Sequence, residues 1–225
     1  TPMKGDGSVN LDAIGPYADF LVSQGVAGAF ICGTTGEGFS LTVKERQKVA
    51  ETWVEASGGR LKIIVHVGHN CQADAVTLAG HAQRCGADAV ASIAPTFYKP
   101  CCVDDLVDFF VPVAAAAPQI PFYYYNMPSM SGVSLPADKF LELGGKKIHT
   151  LQGLKFTHND LMEMNRCLHL EGCRFEVLHG FDEILICGLA LGAKAGVGST
   201  YNYAGKIYGA LMDAFEKYRS EERRV

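Results

Sequence analysis

The chain lacks any apolar run approaching the roughly 20 residues a membrane-spanning helix needs. Its opening TPMKGDG shows no charged segment leading into an apolar stretch of the secretory kind. We therefore expect no membrane partner and a cytoplasmic location. It also lacks a block of like charge: the net charge of -4 comes from interspersed signs, which speaks against nucleic acid and anionic lipid surfaces as partners. Cysteine is plentiful at 8 residues, but there is no CxxC, and only Cys101 and Cys102 are neighbours. Cys32 and Cys187 sit inside apolar runs. That pattern suits reduced thiols better than a disulfide framework or a zinc ribbon. No Ser/Pro/Gly-rich linker interrupts the chain, so residues 1–225 read as a single domain.

What is present is an alternation of short apolar runs with amphipathic helical ones. Strands are expected at 26–32, 61–67, 87–94, 121–126, 151–156, 175–178 and 193–198. Helices are expected near 11–23, 42–57, 72–85, 103–116, 136–143, 159–168, 182–191 and 203–219. Thr42 with Glu45 has the spacing of a capping box, and Asn159 with Asp160 opens the helix after the fifth strand. Seven strand–helix units preceded by one helix amount to a (β/α)8 TIM barrel lacking its first strand. Thr1 and Pro2 then read as the loop leaving that strand, and the charged end at 220–225 suggests a fragment.

Active sites of such barrels gather at the C-terminal strand ends, where several residues look out of place. Lys155 lies in the apolar run LQGLKFT. Burial there disfavours the ammonium, and an amine whose pKa falls from about 10.4 toward about 7 to 8 can condense with a ketone. The plain alternative is a strand-end lysine whose amine reaches out to water. GTTGEG (33–38) is neither a dinucleotide fingerprint nor a P-loop. It is either a flexible turn or a set of backbone N–H groups, with Thr34 and Thr35, converging on a small anion. In PFYYYNMP, alternation sends Tyr123 and Tyr125 to one face and Tyr124 to the other. Core packing explains an aromatic strand, yet Tyr125 is close enough to the strand end to pass protons to an amine on the next strand. His66 and His69 (HVGH) have too few companions at ligand spacing for a zinc site, so no metal is expected. Asp182 and Glu183 either complement a helix dipole or accept hydrogen bonds from a polyol.

Taken in order, GTTGEG, YYYNMP, GLKFT, GFDE and GSTYN resemble the N-acetylneuraminate lyase family, within the larger dihydrodipicolinate synthase group of pyruvate-dependent class I aldolases. The resemblance covers essentially the whole chain. It implies a homotetrameric enzyme that reversibly cleaves N-acetylneuraminate to pyruvate and N-acetylmannosamine through a lysine Schiff base, with no cofactor. By motif, it makes Lys155 the Schiff-base lysine and Tyr125 the proton donor and acceptor. Thr34 and Thr35 hold the pyruvyl carboxylate, and Thr157, Gly180, Asp182, Glu183 and Ser199 bind the sugar chain. It also implies a helical extension after the eighth barrel helix, which this chain is expected to lack.

Two departures from the family pattern stand out. The synthase branch carries an arginine after YN.P, where this chain has Ser129, Met130 and Ser131, which favours a neutral polyhydroxylated aldehyde as the aldol partner. Phe97 stands where many relatives offer a tyrosine to the neighbouring subunit, with Tyr98 beside it. The alternatives are another pyruvate-dependent aldolase of the same group and a non-catalytic fragment of the lyase.

Overall fold

Seven parallel strands stand side by side in chain order in the computed structural model, which describes residues 1–222. They are β1 (Gly28–Ile31), β2 (Lys62–His66), β3 (Ala89–Ile93), β4 (Phe122–Asn126), β5 (Leu151–Phe156), β6 (Glu176–His179) and β7 (Ala195–Gly196). Helix α1 (Ile14–Ser23) precedes them. Between and after the strands come α2 (Val43–Ser57), α3 (Gln72–Cys85), α4 (Val103–Ala115), the single turn α5 (Pro128–Ser131), α6 (Ala137–Lys147), α7 (Leu161–His169), α8 (Leu185–Leu191) and α9 (Tyr201–Glu222). Parallel neighbours need a crossover between them, and here each is helical, the pattern of a (β/α)8 barrel. Among the described residues the barrel has seven of its strands, and β1 and β7 have one strand neighbour each. The last three residues of the charged end lie outside the described residues.

The sheet curls enough to bring its two edges together at the top. The hydroxyls of Thr35, after β1, and Ser199, after β7, hydrogen-bond at 2.7 Å, and the Tyr17 phenol of α1 donates to the Asn202 side-chain oxygen of α9. Strand alternation sorts the side chains. Phe30, Ile64, Ala89, Ala91, Tyr123 and Leu178 point inward and pack on one another. Ile63, Val65, Val90, Phe122, Tyr124, Leu154 and Phe156 point outward into the helices. The outer layer is richest where Phe110 of α4 meets Phe122 at 5.3 Å between ring centroids, and where Tyr124 meets Phe140 of α6 at 4.5 Å. Burying each such ring stabilises the sheet–helix contact by about 1.5–3 kcal/mol.

Local chemistry sets the helix starts. Thr42 and Glu45 form the expected capping box at α2. At α7 the cap is Asp160, which accepts from the Glu163 N–H at 2.9 Å, so the helix begins at Leu161, two residues later than expected. Three other expectations are corrected. β7 has two residues rather than six, although Val197 still donates to the His179 carbonyl. Residues 182–184 form a 3-10 turn before α8, which tightens the chain around Asp182. Helix α6 runs on through Gly144 and Gly145 to Lys147, past its expected end at 143, with Gly144 buried against Leu151 and Phe140.

Candidate active site

Lys155 and Tyr125 are register partners on adjacent strands β5 and β4, so both side chains leave the same face at the same height. Lys155 is 7% exposed, and its ammonium nitrogen lies 4.0 Å from the Tyr125 ring centroid and 4.3 Å from that of Phe30. Desolvation lowers its pKa to about 7, opposed only in part by the charge of Asp182. Near neutral pH a substantial share of this amine is therefore unprotonated and nucleophilic. An amine reaching out to water, the plain alternative for this lysine, does not describe a side chain so deeply buried.

The Tyr125 hydroxyl lies 3.2 Å from Thr34 Oγ1 and donates to the Met127 sulfur at 2.9 Å. Burial pushes this phenol's pKa up, partly offset by the hydroxyls of Thr34 and Thr157. The proton of the pair thus rests on the phenol rather than the amine. The ring is held edge-on by Phe30 and by His66, whose centroids are 5.4 and 5.8 Å away.

The GTTGEG loop is rigidly built. Cys32 and Glu37 adopt left-handed backbone angles, and a Cβ at Gly38 would fall 1.9 Å from the Cys32 carbonyl oxygen, so only glycine fits. His66 supports the loop from below. Its Nε2 accepts from the Ile93 N–H at 3.3 Å, which leaves Nδ1 protonated to donate to the Cys32 carbonyl at 2.9 Å. Desolvation, and then the nearby Arg46 guanidinium, lower the His66 pKa well below its ordinary value and keep the ring neutral. Arg46 itself is buried and donates to the carbonyls of Gly68 and His66 at 2.9 and 2.6 Å. Thr1 completes the rim by donating its hydroxyl to the Gly36 carbonyl.

On the opposite wall, the Gly180 N–H donates to the Phe156 carbonyl at 2.8 Å, and a Cβ at Gly180 would lie 1.9 Å from Thr157 Oγ1. Asp182 is buried and accepts from both the N–H and the hydroxyl of Thr200. Burial works to raise its carboxyl pKa, but the Thr200 hydrogen bonds outweigh this and hold it below the usual carboxylate range. Glu183 and Ser199 are exposed at the rim.

All nine residues singled out by the sequence, Thr34, Thr35, Tyr125, Lys155, Thr157, Gly180, Asp182, Glu183 and Ser199, line one cavity of about 600 Å³, which also runs down between β1 and β7 to Lys62 and Glu176 at the opposite strand ends. The two histidines of HVGH part company: His66 is buried under the loop, and His69 is at the surface beside Asp74. Several contributors escape sequence reasoning. Phe30 is findable as an inward position of β1, and Thr200 lies inside the GSTYN motif. Met127 carries no signal of its own. Phe97 and Tyr98 stack edge-on with ring centroids 4.9 Å apart, well exposed on the surface.

Comparison with known proteins agrees with this geometry. The Dihydrodipicolinate synthetase family matches residues 1–222. N-acetylneuraminate lyase of Mus musculus is 47% identical over 220 residues, covering 96% of this chain and 69% of that protein. Among solved structures, Proteus mirabilis N-acetylneuraminate lyase superposes with a TM-score of 0.94 at 46% identity, over 98% of this chain and 75% of that one. Dihydrodipicolinate synthase from Aquifex aeolicus superposes with a TM-score of 0.91 at 30% identity, over 100% of this chain and 75% of its own.

Proposed function

The chain belongs to the dihydrodipicolinate synthetase family, and from that premise we propose that it is an N-acetylneuraminate lyase, a class I aldolase that cleaves sialic acid reversibly. The observation that carries this reading is the deeply buried Lys155 amine, with a pKa of about 7, set beside the Tyr125 phenol. Similarity to lyases across almost the whole chain supports it.

Unprotonated Lys155 Nζ attacks the C2 ketone of open-chain N-acetylneuraminate, and the carbinolamine loses water to give the protonated imine. Tyr125 relays the protons of these steps through its hydroxyl, which Thr34 and Met127 hold in place. As the C3–C4 bond breaks, its electron pair moves into the iminium to form an enamine. The C4 hydroxyl passes its proton to the Tyr125 oxygen, which has given its own to the departing water and later returns this one to C3, and C4 becomes the aldehyde of N-acetylmannosamine. The enamine is then protonated at C3, and water hydrolyses the pyruvyl imine to free Lys155. Thr34 and Thr35 hold the carboxylate, which fixes the orientation of the scissile bond. Thr157, Gly180, Asp182, Glu183 and Ser199 receive the sugar chain.

The preference for a neutral aldehyde partner rests on the lack of an arginine at residues 129–131, where the synthase branch has one; Ser129, Met130 and Ser131 stand outside the cavity lining. The remaining finer assignments belong to the same proposal: one domain over residues 1–225, a homotetramer, and cytoplasmic sialic acid degradation. The exposed Phe97–Tyr98 pair supports the subunit contact. No helix among the described residues is long and apolar enough to cross a membrane.

Borohydride reduction in the presence of pyruvate, followed by peptide mapping, tests the chemistry. Label on Lys155 alone is expected, and label spread over surface lysines would overturn the Schiff-base assignment. A panel of sugar acids then separates the lyase from other aldolases of the group.

A further inference from the structure

The segment 69–74 (HNCQAD) runs from the end of β2 into the first turn of α3, away from the chemistry described above. Cys71 is the N-cap of α3 and Asp74 is the third residue of the helix. Those two positions face each other at any helix start, which is why they form capping boxes when occupied by hydroxyl and carboxylate side chains. Here the N-cap side chain makes no capping hydrogen bond, so its sulfur is uncommitted. His69 closes the third side: its Nδ1 accepts from the Cys71 N–H at 3.0 Å and stands 3.6 Å from an Asp74 carboxylate oxygen. One nitrogen, one sulfur and one oxygen thus lie within 4.8 Å of one another.

We propose that His69, Cys71 and Asp74 form a binding site for a borderline divalent cation of the zinc class, with water as the fourth ligand. Tetrahedral zinc at bond lengths of about 2.0–2.3 Å sets its ligands roughly 3.3–3.8 Å apart. The three side chains need to contract by only about 1 Å to reach that spacing; Cys71 is exposed, His69 and Asp74 are half-buried, and on binding the His69 Nδ1 lone pair leaves the Cys71 N–H for the metal. The donor set selects the metal. A thiolate with an imidazole favours zinc or cobalt, whereas a single carboxylate is far short of the oxygen cage that calcium or magnesium requires. On binding, the Cys71 thiol releases its proton to solvent, and a dication with one thiolate, one carboxylate and a neutral imidazole leaves the site without net charge.

The site has a structural consequence as well. Asn70, between two of the ligands, accepts from the Thr96 N–H at 2.8 Å, the Thr96 hydroxyl at 3.1 Å and the Phe97 N–H at 3.2 Å. A cation held by its neighbours stiffens the joint between the loops that follow β2 and β3.

Titration of the reduced, metal-free protein with Co²⁺ tests the proposal. A thiolate-to-cobalt charge-transfer band in the near ultraviolet, with visible bands of four-coordinate intensity, is expected, and zinc should bleach both. Cys71→Ser should abolish the near-ultraviolet band. His69→Ala and Asp74→Asn should each weaken binding by at least the roughly 10–100-fold that even an outer-shell loss costs at a zinc site. Because Cys101 and Cys102 are also exposed, a Cys101→Ser/Cys102→Ser double variant serves as control and should keep the spectrum. A band that survives Cys71→Ser, one lost only in the double variant, affinities unmoved by His69→Ala and Asp74→Asn, or no band at millimolar Co²⁺ would each overturn it. None of the three ligand residues is among the buried core residues, so these variants leave the core intact.

Discussion

The sulfur of Met127 accepts the hydroxyl of Tyr125 at 2.9 Å and lies 3.6 Å from the hydroxyl of Thr34, which gives the phenol a soft partner that Thr34 shares. A hydrogen bond donated by the phenol stabilises its neutral form, so losing the sulfur should lower the Tyr125 pKa. In Met127→Leu, which keeps the volume, the alkaline limb of kcat should move to lower pH. Turnover near neutrality should fall by less than about tenfold, the scale of one weak hydrogen bond. Steady-state pH profiles measure this, and an unmoved alkaline limb would reduce Met127 to packing.

Tyr125→Phe removes the hydroxyl but keeps the ring that packs on Phe30 and His66. The expected cost is about 10²–10⁴-fold in kcat with little change in KM, as for a lost proton-transfer group. Near-normal turnover would leave the tyrosine with a core role only.

The amine of Lys155 titrates near pH 7 in the folded chain, against 10.5 ordinarily. Between those values the unfolded chain binds a proton that the folded chain does not, so this group's contribution to stability rises with pH across the window. Below about pH 7 the folded protein carries the buried ammonium at its full desolvation cost. Lys155→Met should therefore abolish turnover yet raise Tm, by more at about pH 6 than at about pH 9. A Tm gain that is equal at both pH values, or no gain, would mean the amine is better solvated than its burial indicates.

Much of this site is legible in the sequence because the residues that carry it violate local expectations. A cation in an apolar strand, a glycine-rich turn and a run of three tyrosines each mark a strand end, and alternation puts Tyr125 on the face opposite Tyr124, while only the fold shows that this face is the inner one and that Lys155 shares it. What escapes depends on three-dimensional closeness. Nothing in YYYNMP says that the Met127 chain folds back onto the phenol two residues earlier. Nothing in HVGHNCQAD says that His69 turns toward Cys71 and Asp74 while His66 turns inward. The short β7 is not legible either, because 193–198 read as a strand with five apolar or small residues around Lys194, whereas only Ala195 and Gly196 pair with β6.

Gly180 has a tight fit as its only requirement, since a Cβ there would meet Thr157 Oγ1 at 1.9 Å and the Phe156 carbonyl oxygen at 2.8 Å. Gly180→Ala should push the ends of β5 and β6 apart, at about 1–3 kcal/mol of overpacking. Because Lys155 and Thr157 are on the same strand end, activity should fall by more than stability alone explains. Chemical denaturation beside kinetics separates the two losses, and wild-type values for both would contradict so tight a fit.

Asp182 links the sugar-binding wall to the nucleophile. Its carboxylate is fixed by the N–H and hydroxyl of Thr200, and its charge is the main influence holding the Lys155 pKa up against burial. Asp182→Asn removes that charge at nearly constant shape. The Lys155 pKa should fall further, shifting the acid limb of pyruvate imine formation to lower pH, and more of the amine should be neutral at pH 7. Pyruvate trapping at Lys155 should survive, therefore, while cleavage of the sugar acid drops through lost contacts to its hydroxyls. Rates of borohydride trapping and of cleavage, each measured across pH, give the two readouts. If both fall together and the acid limb stays in place, Asp182 acts in the bond-breaking chemistry itself and not as a sugar contact that tunes the lysine.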